Sequence, residues 1–229
     1  MSIMLDKSIV LASHNAGKLA EFSKLFEPLN WQIYPQSHWS IPECAEPYTT
    51  FIENALAKAR QAAVYSGLPS LADDSGLCVH ALNNAPGVYS ARYANADDGN
   101  FKLFDSLSNQ SLNQLSEPAF NQTQANNTKL LFELNRLGHH ALIHRPAYFI
   151  CVLVAIKTPQ DPEPLIAIGR WHGHIAHTLN GHNGFGYDPL FICAKTQRCA
   201  ATLTTAEKSA LSHRGLAMQQ MLQLINTVW

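Results

Sequence analysis

Two adjacent carboxylates stand between apolar runs in Leu71-Ala72-Asp73-Asp74-Ser75-Gly76-Leu77. Neighbouring residues on a strand point to opposite faces, so on a strand at least one of the pair points inward. A buried carboxylate is costly unless it is paired or bound to a metal. Magnesium takes one or two carboxylates and completes its shell with phosphate oxygens and water, so Asp73 and Asp74 suit that chemistry. Gly76 permits a sharp bend behind the pair, and a surface Asp-Asp-Ser-Gly turn is the plainer alternative. Glu46, in a loop ahead of a helix candidate, is a further carboxylate able to reach a metal.

Groups that suit an anionic, base-bearing ligand lie elsewhere. Ser13-His14-Asn15-Ala16-Gly17-Lys18 follows an apolar run and opens a helical pattern. Free N–H groups and the positive end of a helix dipole favour phosphate there, Lys18 adds a charge, and small Ala16 and Gly17 permit close approach. The spacing is not that of a Walker loop, and an ordinary capped helix also accounts for it. In Phe51-Ile52-Glu53-Asn54-Ala55 the first-turn Glu53 and Asn54 suit the dipole, and Lys58 falls about one turn beyond Asn54 on the same face. A solvated helix with favourable end charges is the alternative. Ser90 and Arg92 follow a Pro86-Gly87 turn and could assist a phosphate or a carboxylate. Asn183-Gly184-Phe185-Gly186-Tyr187-Asp188 combines glycines, aromatics and an acid in a short loop suited to stacking on a base, or to a structural turn. Lys208, His213 and Arg214 fall near the start of the last helix candidate, where they meet either phosphate and base oxygens or solvent.

These groups must be positioned by a mixture of strands and helices. Ile9–Ala12 reads as a buried strand, and Leu19, Phe22, Leu25, Phe26 and Leu29 carry helical spacing after it. Thr50–Ser66 predicts a helix stopped by Gly67. Ala147–Lys157 and Leu165–Trp171 predict strands joined by a hairpin turn at Pro159-Gln160-Asp161-Pro162. Ala206–Val228 reads as one long closing helix with Leu211, Met218, Met221, Leu222 and Ile225 toward the core. Ser106–Thr128 is rich in Asn, Gln and Ser and reads as an inserted surface loop, residues 106–128. The class is α/β or α+β.

Bulk composition narrows the function. The chain has 229 residues, enough for one large domain or two small lobes. It is 46% hydrophobic and 14% charged with a net charge of -1, so no nucleic-acid surface or membrane patch is advertised and an anion must be held by local groups. Five scattered cysteines without a C-x-x-C pair point to buried thiols rather than disulfides or a zinc ribbon. No apolar stretch matches a signal peptide or a membrane span, which predicts a cytoplasmic protein.

Taken in order, Ser13–Lys18, Phe51–Ala55, Asp73–Leu77, Pro86–Arg92, Gly184–Pro189 and Ser212-His213-Arg214 resemble the inosine triphosphatase family, whose bacterial branch is the dITP/XTP pyrophosphatase or Ham1-like group. The resemblance covers nearly the whole chain outside 106–128. It implies a single domain, residues 1–229, with an elongated α/β fold: a mixed central sheet with helices on both sides and two lobes flanking an active-site cleft. It implies a homodimer, dependence on Mg²⁺, and hydrolysis of deaminated purine nucleoside triphosphates to monophosphate and pyrophosphate. Carried over by motif, Asp74 is the catalytic proton acceptor and, with Glu46, a metal ligand. Ser13, His14, Asn15, Ala16, Gly17 and Lys18 bind the triphosphate, with Lys58, Ser75 and Lys208 as further contacts. Phe185, Gly186, Tyr187, Asp188, His213 and Arg214 shape the base pocket, while Asp73, Glu53, Asn54 and Arg92 support the site from behind.

Some positions depart from the family pattern. Ser13 stands where Thr is usual, Asn83-Asn84 replaces a Gly-Gly pair, and His172 and His182 replace Pro or Gly. Three other readings compete: a Maf-type pyrophosphatase of modified pyrimidine nucleotides, a nucleotide-binding regulator without turnover, and a metal site built from His172, His174, His177 and His182 or from His139, His140 and His144.

Overall fold

A computed structural model describes residues 7–13, 18–19, 22–23, 26–27, 30–95, 122–181 and 183–229. Six strands form one sheet: β1 (Ser8–Leu11), β2 (Gln32–Pro35), β3 (Ser70–Val79), β4 (Pro146–Ile156), β5 (Leu165–Ile175) and β6 (Phe191–Cys193). Their order is β2-β1-β3-β4-β5-β6. β1 pairs parallel with β2 and with β3, whereas β5 pairs antiparallel with β6, so the sheet is mixed. The described helices are α1 (Phe51–Ser66), α2 (Gln122–Arg136), α3 (Thr205–Leu211) and α4 (His213–Val228). None of them is long and apolar enough to cross a membrane.

By internal contacts the chain divides into two compact units. The first comprises Met1–Ser75, Ile150–Arg170 and Ser209–Trp229. β1 is buried on both faces, which is why it reads as a continuous apolar run rather than as alternation, and β3 is buried along nearly all of its length although Asp73, Asp74 and Ser75 interrupt its apolar residues. On one face, Ile9, Leu11, Leu71, Cys151 and Leu153 pack against Phe22, Phe26, Met218, Met221 and Ile225. On the other, the Ser70 hydroxyl donates to the Ala59 carbonyl of α1 at 2.7 Å. α1 forms as its ends dictate: the Thr50 hydroxyl accepts the Glu53 N–H, and Gly67 at φ 69° closes the last turn. Lys18, Leu19, Phe22, Ser23 and Phe26 are helical, as their spacing predicts; Leu25 and Leu29 lie outside the described residues.

The second unit comprises Gly76–Phe149 and Trp171–Lys208. Its core is built on the rings of Phe149, Trp171 and Phe191, with Phe191 centred 4.7 and 4.9 Å from the other two. α2 packs against the 3-10 segment Gly87–Asn95 through Asn126, whose Nδ2 donates to the Ser90 and Ala91 carbonyls and whose Oδ1 accepts the Ala94 N–H.

Three sequence expectations are corrected. The segment 106–128 is not a loop throughout: its last seven positions belong to α2, while 106–121 lie outside the described residues. Asparagine is a weak helix former because its amide competes for backbone groups. Here Asn126 spends that amide on another segment's backbone, and buried Leu130 and Leu134 anchor the helix. The closing helix is two helices, because Ser212 leaves helical geometry (φ -71°, ψ 155°) and its hydroxyl accepts the Gly215 N–H as the N-cap of α4. Met218, Met221 and Ile225 do face the core, but Leu211 ends α3 only half-buried. Finally, Gly76 makes no turn; β3 runs straight through it. The hairpin between β4 and β5 forms as expected, with Asp161 accepting the Lys157 and Glu163 N–H groups. Asn83 and Asn84 both take positive φ, 52° and 65°, the conformation a Gly-Gly pair would adopt freely.

Candidate active site

β3 carries both aspartates as buried residues of the first unit, and its alternation sends them to different partners. Asp73 is 2% exposed. Lys18 Nζ donates to both of its oxygens at 2.7 Å, and the Ser75 hydroxyl donates to Oδ2 at 3.0 Å. Burial alone would raise its proton affinity, but Lys18, then Arg214, then Lys58 outweigh that and hold the carboxyl well below the usual range. Cys151 on β4 lies beside this pair, and burial with the Asp73 charge pushes its thiol up to about 12. Arg214 itself is buried in the first turn of α4, next to buried His213. α4 can approach the sheet this closely because β5 has glycine at 169; a Cβ there would stand 1.9 Å from the His213 carbonyl oxygen.

Asp74 looks toward α1. Asn54 Nδ2 donates to its Oδ2 at 3.3 Å and to the Tyr48 carbonyl at 3.2 Å, while Asn54 Oδ1 accepts the Tyr48 N–H. Lys58 Nζ bridges Asp74 Oδ1 at 3.2 Å and Glu46 Oε1 at 2.8 Å. Burial raises the Asp74 proton affinity, Lys58 opposes, and Glu46 adds to the rise. The two neighbours thus part: Asp73 stays ionised and Asp74 is the better proton acceptor.

The aromatic loop belongs to the second unit. Phe185 is 63% exposed, with Lys208 Nζ 4.7 Å from its ring centroid. Asp188 is buried; one carboxylate oxygen accepts the Phe185 N–H at 2.7 Å and pairs with Lys208. Gly184 has φ 85°, and a Cβ there would lie 2.2 Å from that same oxygen, so only glycine fits. Tyr187 is buried and its hydroxyl donates to the Ser90 carbonyl at 2.9 Å.

The sequence profile of the Ham1 family matches residues 9–116 and 112–224. The chain belongs to the Ham1 family. It is 48% identical to the dITP/XTP pyrophosphatase of Neisseria meningitidis serogroup B over 95% of this chain and 96% of that protein. It is 46% identical to the dITP/XTP pyrophosphatase of Ralstonia nicotianae with the same coverage. Among solved structures, a HAM1 protein from Coxiella burnetii superposes with a TM-score of 0.81 at 41% identity, covering 96% of this chain and 98% of that one. The nucleoside-triphosphatase/dITP/XTP pyrophosphatase of Mycobacterium abscessus gives 0.70 at 36% identity, covering 94% and 98%.

As a Ham1 family member the chain brings Glu46, Asn54, Lys58 and Asp74 together, and likewise Lys18, Asp73, Ser75 and Arg214. Ser13 lies two residues past the end of β1 and is half-buried; His14, Asn15, Ala16, Gly17 and His182 lie outside the described residues. Glu53 does not join the carboxylates. Its carboxylate accepts the Thr50 hydroxyl at 2.6 Å, and its N–H donates back to that hydroxyl oxygen. Arg92 lies 5.5 Å from the Tyr89 ring, and Ser90 is internal bracing that accepts the Leu77 N–H. Sequence reasoning missed Cys151, which read as an ordinary buried thiol, and the bracing asparagines of α2. Among the described residues no group of three or more His, Cys, Asp or Glu could hold a metal ion, and the histidines at 139, 140, 144, 172, 174 and 177 are exposed or half-buried.

Proposed function

We propose that the protein hydrolyses deaminated purine nucleoside triphosphates (dITP, ITP and XTP) to the monophosphate and pyrophosphate, and so cleanses the nucleotide pool. The observation that carries this is the Glu46–Lys58–Asp74 bridge beside a separately locked Asp73, in a chain whose relatives are named for that activity.

The residues fit a divalent cation. Lys58 already places one positive charge between the Glu46 and Asp74 carboxylates, and hard carboxylate oxygens are what Mg²⁺ prefers. Two carboxylates fall short of a full protein cage, which agrees with an ion that draws its other ligands from phosphate and water. When bound by Glu46 and Asp74, such an ion supplies neutralisation of phosphate charge.

The chain's own groups do the rest. Asp74, with its raised proton affinity, takes the proton from the water that attacks the α-phosphorus. Asn54 holds that carboxylate in place. Asp73 keeps the Lys18 ammonium ordered for the phosphates, helped by Ser75. Residues 14–17 bind the triphosphate in this reading. Phe185 offers an exposed ring for the base, stiffened from behind by Lys208 and Asp188. Arg214 and His213 donate to O6, which hypoxanthine and xanthine carry and adenine lacks. The enzyme acts in the cytoplasm as a homodimer.

A pyrophosphate-release assay over ITP, dITP, XTP, GTP, ATP, dUTP and modified UTPs tests the reading. ITP, dITP and XTP are cleaved fast with Mg²⁺ and not with a chelator; equal rates on ATP and ITP, or preference for a pyrimidine, refute it. Light scattering reads the dimer.

A further inference from the structure

We infer that Asn127 is a positioning residue for base recognition, through the carbonyl of Gly186. This rests on the reading of the Phe185 loop as the base platform. Asn127 lies on α2, is 4% exposed, and donates from Nδ2 to the Gly186 carbonyl at 3.1 Å. Its Oδ1 is buried and has no hydrogen-bond partner among the described residues.

Two features make that bond matter to the loop. Gly184 and Gly186 both have positive φ, 85° and 61°, and glycine leaves the intervening peptides free to rotate. The Phe185 N–H is held by Asp188 on one side, and the Gly186 carbonyl is held by Asn127 on the other. The ring is therefore presented by a loop pinned at both ends. The adjacent Asn126 fastens α2 to the Ser90 carbonyl, which also receives the Tyr187 hydroxyl. Helix and loop share that anchor, so a shift at Asn127 passes into the base platform.

The unpartnered Oδ1 separates this role from simple packing. The Asn127 amide is used through a single bond, the one that Nδ2 makes to the loop.

The test compares wild type with Asn127→Leu and Asn127→Ala, both of which lose the donor, the former keeping the shape. KM for ITP rises about three- to tenfold in both, the weight of one neutral hydrogen bond, with kcat within twofold. Thermal melting of Asn127→Leu stays close to wild type, since the half-buried Gly186 can give its carbonyl to water once the amide is gone. Calorimetric titration with inosine monophosphate shows the same weakening without turnover. A wild-type KM and wild-type product affinity in the variants overturn the inference, as does a fall in kcat at constant KM. If Asn127→Leu does not fold, Asn127→Ala decides alone. Absence of ITP hydrolysis by the wild-type chain refutes the functional reading itself, and this inference with it; hydrolysis with an unmoved KM refutes only the inference.

Discussion

Asp73→Asn isolates the electrostatics of the buried pair. The substitution keeps the shape of a 2% exposed side chain but leaves the Lys18 ammonium, 2.7 Å from both oxygens, facing a neutral amide. Breaking a buried ion pair from one side costs about 3–5 kcal/mol. The Lys18 side chain is 22% exposed and can recover some hydration, so the expected loss is about 2–4 kcal/mol at pH 7. With a urea dependence of about 3 kcal/mol/M for a chain of this size, the midpoint falls by about 1 M. The pH dependence follows from the sign of the shift. The Asp73 carboxyl is lower in the folded state than in the unfolded chain, so its contribution is complete above the unfolded value of about 4. It is lost as pH falls through the folded value, so the gap between wild type and variant narrows steadily below about pH 4. Urea titrations followed by circular dichroism at pH 7, 5, 4 and 3 measure this. A loss under about 0.5 kcal/mol at pH 7, or a gap that does not shrink in acid, refutes the assignment of Asp73 as a locked, ionised partner of Lys18.

Asp74→Asn removes the proposed proton acceptor while leaving Lys58 its Glu46 partner, so kcat in the pyrophosphate-release assay falls by about 10²–10⁴ and the far-ultraviolet spectrum is unchanged. Gly184→Ala drives a Cβ into the Asp188 carboxylate and frees Phe185, so KM for ITP rises tenfold or more with a smaller change in kcat, read by the same kinetics. At the positive-φ turn, Asn83→Ala and Asn84→Ala each cost about 1 kcal/mol in thermal or urea unfolding, whereas glycine at either position is neutral or stabilising.

What was legible in the chain followed from local physics. β1 is an apolar run bounded by polar residues, β3 is two apolar stretches around a polar centre, and α1 has its start and stop written in Thr50 and Gly67. The candidate site was legible as residue types, since two carboxylates inside an apolar strand demand partners. Which partners was not, because that information is non-local: Lys58 and Asp74 are sixteen positions apart, and Lys18 and Asp73 fifty-five. Nothing in Ala206–Val228 forbids a continuous helix, and Ser212 breaks it because its hydroxyl is worth more as a cap than as a helical residue. Asn126 and Asn127 carry the composition of a loop, but their amides are satisfied by the backbone of other segments. Composition counts such residues as polar; the fold uses them as staples.

The aspartate pair shows why adjacency in sequence does not mean a shared task. β3 is buried along its length, so neither side chain can turn to water for relief. The strand's alternation places Asp73 on the face of Leu71, which packs with Phe22 and Met218, and Asp74 on the face of Ser70, which bonds to α1. Each face brings its own cation. Lys18 makes two short contacts to Asp73 and Arg214 adds its field, which fixes that carboxylate as an anion. Lys58 is divided between Asp74 and Glu46, so it cannot fully neutralise either, and Glu46 works against ionisation of Asp74. The same residue type, one position apart, is thereby held as a fixed charge on one face and given a raised proton affinity on the other. A double replacement that swapped the cation geometry, not one that swapped the aspartates, is what would exchange their roles.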